Sequence, residues 1–531
     1  MNKTVLAFLV ATAAGGVSTG LAACSSSSNH GGGSPDAAAD TSTTEGGGGG
    51  GDSAPDGGGG GFTPTIACSD SIDSVYADPG DVSGKAKGAI LKCAHDQDYS
   101  ATALQALAAA EVDGGTPGYS GKAFTSGAHV YRVLYRTERG DTANSPGYSS
   151  ALVLLPDTPR ASTLPVVIAS HGSRGQAGKC APSKLDPAAD DVNPDFIHQV
   201  YPLVGAGYAV IAPDLAGYAN FGGANNPPSA YADAADVGKS TLDADPALRN
   251  VLPAASLSSK TVITGHSQGG HTALAALSLA STYAPSLNIA AVAVYSPLWI
   301  SQHAWAAIFL EPTNYGFAES SAGVVSLWYH YTHTTLLDGP DSGFPIFDPT
   351  KLPVVQSFVA NDCWNSSYPD LVEAGASAND FFTSSYVSGI GVAATPLGNG
   401  NCNGDTTCTT WIQRMTNDWP HLTGAAAQVP ILVWYGNDDT TITPDAMQCV
   451  FNRLSGDTAS YSVCYDPSPV GHSGVVSADS DYVGDWIAQQ ALGGPAPSEP
   501  CAALTSNGSG VPQLTDDGGA PIACNSLLSN E

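Results

Sequence analysis

From about residue 128 the chain repeats one unit: a short apolar run, a turn of glycine or polar residues, then a stretch of helical composition. His129 to Thr137 (HVYRVLYRT) alternates with period two, as a half-buried strand does. Ala151 to Leu155 reads as a second strand. Pro165 to Ser170 (PVVIAS) and Tyr208 to Ala212 (YAVIA) are continuous apolar runs, ending at His171-Gly172 and at Pro213-Asp214. Such runs suit central parallel strands buried on both faces. Thr261 to Thr264, Ala290 to Tyr295 and Ile431 to Tyr435 extend the series, and His271 to Ser281, rich in Ala and Leu, reads as an intervening helix. The alternation predicts an α/β fold, a mostly parallel sheet with helices on both faces. One interval breaks the rhythm. About 130 residues separate Tyr295 from Ile431, too many for a structureless loop. Residues from about 298 to 428 are therefore expected to form an inserted cap with its own helices. Trp299, Trp305, Trp328, Trp364, Trp411 and Trp419 fall there, six of the eight tryptophans. Most are expected to build the cap's own core, with a minority facing an apolar substrate.

Gly265-His266-Ser267-Gln268-Gly269-Gly270 contains a G-x-S-x-G pattern. Bare, the pattern is weak in a Gly- and Ser-rich chain, where chance alone gives roughly one match. Its setting gives it weight: the apolar run Val262-Ile263-Thr264 precedes it and an Ala/Leu-rich helix follows. That strand–turn–helix is what a nucleophile elbow requires, with the serine held out at the carboxyl end of the sheet. A serine nucleophile needs a base and an orienting acid, which follow it in that fold as acid, then histidine. Gly436-Asn437-Asp438-Asp439-Thr440 closes a late strand, and His472 is the only histidine after it. Asp439 is the expected acid, Asp438 its competitor, and His472 the base. The backbone N–H of Gln268 and that of Ser173, in His171-Gly172-Ser173-Arg174-Gly175, are the expected oxyanion donors. His171 is expected to brace this loop rather than to transfer protons.

His171 to Gly175, followed by Cys180-Ala181-Pro182-Ser183, resembles the HG-T-T-G…CAPS stretch of the secretory lipase family, known from yeast type-A lipases and bacterial relatives. Tyr208 to Asp214, Gly265 to His271 and Gly436 to Asp439 fit the same family, over about residues 120–490. The resemblance implies an α/β-hydrolase fold, a triad of Ser267, Asp439 and His472, and a cap that forms a lid with an acyl-binding tunnel. Ser173-Arg174 departs from the usual Thr-Thr, and the Gly- and Asn-rich part Gly398 to Asp405 has no evident counterpart. The implied activity is a serine hydrolase cleaving carboxylic esters, as a lipase or esterase, with no metal or organic cofactor required. A prolyl-type serine peptidase on the same fold is the alternative, although no blade-length repeat of a propeller is seen. A non-catalytic tethered binding protein is the third reading. A metal reading would rest on His330 and His333 alone; without acidic or Cys partners nearby, they are expected to be ordinary cap residues.

Charge narrows the partners. With 48 acidic and 18 basic residues the net charge is −30, which argues against nucleic acid. Neutral ester or lipid substrates and a monomeric enzyme are expected. Hydrophobic residues make up 42 % of the chain, enough for a sizeable core. Residues 1–24 read as an export signal: Lys3, an apolar stretch from Val5 to Ala14, then Leu21-Ala22-Ala23-Cys24. The last four resemble a bacterial lipobox, so Cys24 is the expected lipidation site and the expected location is the cell envelope, outer membrane or surface. Residues 25–62 form a Gly/Ser/Asp linker, 63–496 the catalytic domain and 497–531 a tail. Ten further cysteines suit an exported chain. Proximity pairs Cys68 with Cys93, Cys402 with Cys408, Cys449 with Cys464 and Cys501 with Cys524, leaving Cys180 with Cys363 as the long-range bridge.

Overall fold

The computed structural model describes residues 62–111, 116–185, 195–218, 226–299, 309, 316–364, 368–393, 400–466, 470–498, 501–504, 506–516 and 518–524. The expected signal with Cys24, residues 25–61 of the linker and Trp305 lie outside the described residues. Ten strands form one sheet in the order β1-β2-β3-β5-β4-β6-β7-β8-β9-β10. They are β1 (Ile90–Tyr99), β2 (Ala128–Glu138), β3 (Pro146–Pro156), β4 (Leu164–Ser170), β5 (Val210–Pro213), β6 (Leu257–His266), β7 (Asn288–Tyr295), β8 (Ile431–Gly436), β9 (Tyr461–Asp466) and β10 (Ala502–Ala503). Strands β5, β4, β6, β7, β8 and β9 pair parallel in that order, while β1, β2 and β3 join antiparallel at one edge and β10 at the other. The α/β expectation therefore holds, with three strands that were not foreseen: β1, β9 and β10.

Side-chain alternation places the core on both faces. In β4, Val166 and Ile168 enter one apolar cluster and Val167 and Ala169 the other. In β8, Ile431 and Val433 face one side and Leu432 and Trp434 the other. Helices Ala234–Val251, Gln268–Tyr283 and Pro444–Gly456 supply Leu248, Leu274 and Phe451 to the first cluster. Helix Gly474–Ile487 supplies Val475 and Ile487 to the second. Every one of these apolar side chains is buried, so each strand reads as a continuous apolar run rather than an alternating one. Register then sets the site: Ser170 is level with Gly265, His266 with Tyr295, and Tyr295 with Trp434. The loops after β4, β6 and β8 leave the same edge of the sheet.

The interval between β7 and β8 carries helices Ser321–His333, Leu352–Asn361, Pro369–Ala374, Ser384–Ala393 and Thr406–Asn417. Trp328 and Trp411 lie in its own aromatic core with Phe309, Phe358 and Phe382. Trp299 and Trp419 do not: they pack edge to face, 5.7 Å apart, against the core of the body. Trp364 is exposed, at 36 %. No helix among the described residues is long and apolar enough to cross a membrane.

Five disulfides are present among the described residues. Cys68–Cys93, Cys180–Cys363 and Cys402–Cys408 are as expected. The other two correct the proximity pairing: Cys449 bonds Cys524 and Cys464 bonds Cys501. The reason is sheet geometry. Ala503 in β10 pairs with Cys464 in β9, which brings Cys501 beside that strand. The segment beyond residue 500 also packs on helix Pro444–Gly456: Gln448 donates to the Pro512 carbonyl and accepts from Leu514 N–H, and Leu514 is buried in the core.

Candidate active site

Ser267 follows β6 directly and precedes helix Gln268–Tyr283. Its φ is 54° and its ψ −121°, a conformation that costs a non-glycine residue about 1–3 kcal/mol and persists only where its surroundings impose it. The surroundings are glycines. A Cβ on Gly265 would lie 2.1 Å from the Gly269 carbonyl oxygen, and one on Gly269 would lie 2.1 Å from that of Ser170. The turn is thus wedged between β4 and its own helix. The Ser267 N–H donates to Tyr295 O, and the Ser267 carbonyl accepts from Gly270, His271 and Leu298.

Asp439 ends the turn after β8. Its side chain is fully buried. Oδ2 lies 2.9 Å from His472 Nδ1, and Oδ1 accepts from the N–H groups of Thr441 and Ile442. Burial pushes this carboxyl up, but the His472 contact and the Ile442 amide outweigh it and hold it below the usual carboxylate range. Asp438 is exposed and is engaged through its N–H to Val470 O. Of the two neighbouring acids, it is the Asp439 carboxylate that meets His472. Burial, then the adjacent His266, pulls the His472 imidazole below its ordinary value, although Asp439 works the other way. The ring is partly buried, and its centroid is 4.5 Å from that of His266, the residue before Ser267.

The loop after β4 carries Ser173, whose Oγ is 2.6 Å from Tyr231 Oη. Gln268 opens the helix and is fully buried. His171 braces the loop, with Nδ1 2.6 Å from Gly172 O and Nε2 3.3 Å from Asp214 O. The Cys180–Cys363 bridge and the Trp364 N–H to Arg174 O bond fasten this loop to the cap. Arg174 lines a cavity of about 1250 Å³ along that seam, together with Phe358, Trp364 and Tyr368.

Residues 166–486, well over half of the chain, match a family described as the alpha/beta hydrolase family. The chain belongs to that family. Solved structures agree in fold. Lipase A of Candida antarctica is 17 % identical over 86 % of this chain and 92 % of its own, with a TM-score of 0.56. A rice cell wall degrading esterase, LipA of Xanthomonas oryzae, is 18 % identical over 77 % and 99 %, with a TM-score of 0.52. A hydrolase of Legionella pneumophila is 15 % identical over 76 % and 98 %, with a TM-score of 0.56. Comparison with curated protein sequences finds no match.

Two features of this hydrolase were not foreseen. The first corrects the reading of His333 as a residue without acidic neighbours. Its Nε2 lies 2.8 Å from Asp418 Oδ2 and 3.6 Å from Asp233 Oδ2. These three buried groups offer metal-ligating atoms within 4.8 Å of one another. Their hydrogen bonds describe a buried clamp: His333 Nδ1 meets Tyr329 O, Tyr329 Oη donates to Asp418 Oδ2, and Ala234 N–H donates to Asp418 Oδ1. His271, on the helix behind Ser267, meets Asp418 O at 2.8 Å. His330, by contrast, is an ordinary buried cap histidine, its Nδ1 on Ser326 O. The second feature is a buried contact between His266 and Asp195, separated by 71 positions. His266 stood in the motif without a role, and Asp195 carried no local signal at all.

Proposed function

We propose that this hydrolase cleaves carboxylic esters with Ser267 as nucleophile, His472 as base and Asp439 as its orienting acid. The observation that carries the reading is Ser267 held at a strained elbow after β6, with the Asp439–His472 pair on the same edge of the sheet and the His472 ring 4.5 Å from that of His266, the residue before Ser267. Ser267 Oγ attacks the ester carbonyl while His472 Nε2 takes its proton. The backbone N–H groups of Gln268 and Ser173 receive the negative charge that builds on the carbonyl oxygen. Asp439 fixes the imidazole by accepting from Nδ1–H and stabilises it once protonated. His472 then hands the proton to the departing alcohol, and water, activated the same way, releases the acid from the acyl-enzyme. The lowered affinity of His472 for protons keeps it a base at neutral pH.

The seam beside the proposed oxyanion loop is lined in part by Phe358, Trp364 and Tyr368, which suits an apolar acyl group, while Ser267, Asp439 and His472 do not border it. It also gathers Arg174, Lys179, Lys184 and Lys351, beside Asp362, Asp370 and Glu373. In a chain with only 18 basic residues, this seam is less acidic than the molecule as a whole and does not by itself turn anions away. The proposed preference for neutral over anionic esters rests instead on the net charge of −30 of the chain. A panel of nitrophenyl esters of rising chain length, an emulsified triglyceride, an anionic ester and a dipeptidyl amide tests it. Turnover of neutral esters is expected; turnover of the amide alone would replace the reading with a peptidase. The reading extends to an exported monomer tethered through lipidated Cys24; of this, the five disulfides among the described residues support export alone. Mass spectrometry of the mature N-terminus tests the anchor, and any start other than acylated Cys24 removes it.

A further inference from the structure

His266 occupies the position before the nucleophile, at the end of β6, and its ring is buried. Nδ1 lies 2.8 Å from Asp195 Oδ1, and Nε2 lies 3.0 Å from the main-chain oxygen of His472. Both partners are acceptors. A neutral imidazole carries one N–H, so only an imidazolium satisfies both contacts. Asp195, which opens the helical segment Asp195–Val200, spends its second oxygen on the N–H of Gly172, at 2.7 Å. As an ionised carboxylate it accepts from both. Gly172 is the residue before Ser173, and a Cβ there would sit 3.0 Å from Asp195 Oδ2 and 3.4 Å from His266 Nδ1. The oxyanion loop, the elbow and the loop of the catalytic histidine therefore meet on one buried ion pair.

We infer that Asp195 and His266 are a positioning pair, an acid–histidine couple beneath the site that sets the spacing between the base His472 and the oxyanion loop. The inference rests on the ester hydrolase reading and deepens it. Neither side chain touches substrate. His266 holds the main chain of His472, and Asp195 holds the N–H next to the Ser173 donor. Transition-state stabilisation depends on both distances, and a displacement near 1 Å costs about a hundredfold in rate.

The pair also acts through charge. The groups facing His472 are Asp439 on its Nδ1, the His266 ring beside it and, further off, Asp195. Those facing His266 are Asp195 and, at longer range, Asp439. Burial opposes a charge on His266, but Asp195 wins and raises its proton affinity above the ordinary value. Burial likewise opposes a charge on Asp195, and His266, the Gly172 amide and His171 outweigh it. A cation held beside the His472 ring lowers the affinity of that ring for a proton, leaving it free to accept the one from Ser267.

Two variants and one titration test this. His266→Gln removes the charge and one of the two donors, and Asp195→Asn removes the anion while keeping its shape. Each is expected to lower kcat by about tenfold to a hundredfold with KM little changed, because the lost interaction belongs to the transition state. The acid limb of the kcat/KM profile should move to higher pH in both, and further in His266→Gln, where Asp195 is left as an anion facing the base. Thermal melts confirm that the variants compared are folded. Wild-type kcat and an unmoved acid limb in both folded variants would overturn the inference. Should neither fold, histidine NMR on the otherwise intact Ser267→Ala protein decides. His266 is expected to remain protonated at pH values where His472 has lost its proton, and the reverse order overturns the pairing. That titration needs no turnover, so it stands even if the wild-type protein hydrolyses no ester, an outcome that would sink the proposed function alone.

Discussion

At the scale of the residue, two adjacent acids with different surroundings make the sharpest comparison. Asp439 is buried with three contacts to its carboxylate, whereas Asp438 is exposed. Asp439→Asn should lower ester turnover by about 10⁴, since the amide leaves His472 in the wrong tautomer. Asp438→Asn should stay within about twofold, as surface substitutions usually do. Steady-state kinetics of the two variants side by side decides the matter, and a larger loss at Asp438 would contradict the assignment. The pH profile follows from the direction of the shift on His472. Its folded affinity for protons is lowered, so activity should rise through an acid limb below the ordinary histidine value of about 6.5. A limb above that value would show that the base lies elsewhere. Ser267, Asp439 and His472 were legible because each sits in a short pattern at the end of a strand and their order along the chain is constrained. Asp195 was not, because what identifies it is a contact across 71 positions and nothing in its neighbours.

At the scale of the element, the strands buried on both faces announced themselves as apolar runs, and the edges did not. β1 reads Ile-Leu-Lys-Cys-Ala-His-Asp-Gln-Asp-Tyr and is half exposed, so it carries charges where a central strand carries valine. β10 is two residues long. The cap was legible from length alone, but its attachment was not. That attachment is the clamp of Asp233, which caps the N-terminus of helix Ala234–Val251, with Asp418 after helix Thr406–Asn417 and His333 at the end of helix Ser321–His333. Burial, then Asp418, pushes the Asp233 carboxyl up to about 7. Burial opposes a charge on His333, but Asp418 and then Asp233 raise its affinity for protons. Both groups bind protons more tightly folded than unfolded. Their contribution to stability is therefore largest below the unfolded carboxyl value of about 4 and is lost as pH rises through about 7. Replacing Asp233 by Asn removes part of that dependence. The melting temperature of Asp233→Asn relative to wild type should climb between about pH 4 and pH 8. A difference that stays flat across this range would contradict the clamp.

At the scale of the whole molecule, three of the five disulfides among the described residues tie cap, body and tail together. Cys180–Cys363 closes a separation of 183 residues, worth about 5 kcal/mol in the chain-entropy account. It also fastens the loop after β4, the proposed oxyanion loop, to the cap, so its loss should cost activity as well as stability. Proximity along the chain found this bridge and two short ones. It failed for Cys449, Cys464, Cys501 and Cys524 because the sheet continues past β9, and the pairing of β10 with β9 decides which sulfurs meet. Non-reducing digestion with peptide mass spectrometry should recover Cys449–Cys524 and Cys464–Cys501. Cys449–Cys464 and Cys501–Cys524 peptides would mean that the tail docks differently.

The central claim is that Ser267 carries the acyl group of a carboxylic ester. Acid quenching during turnover of a nitrophenyl ester, followed by peptide mass spectrometry, reads it directly. The acyl mass should appear on the peptide containing Ser267, and Ser267→Ala should lose both the adduct and about 10⁵–10⁶ of the turnover. An acyl group on another residue, or ester turnover that survives in Ser267→Ala, would contradict it.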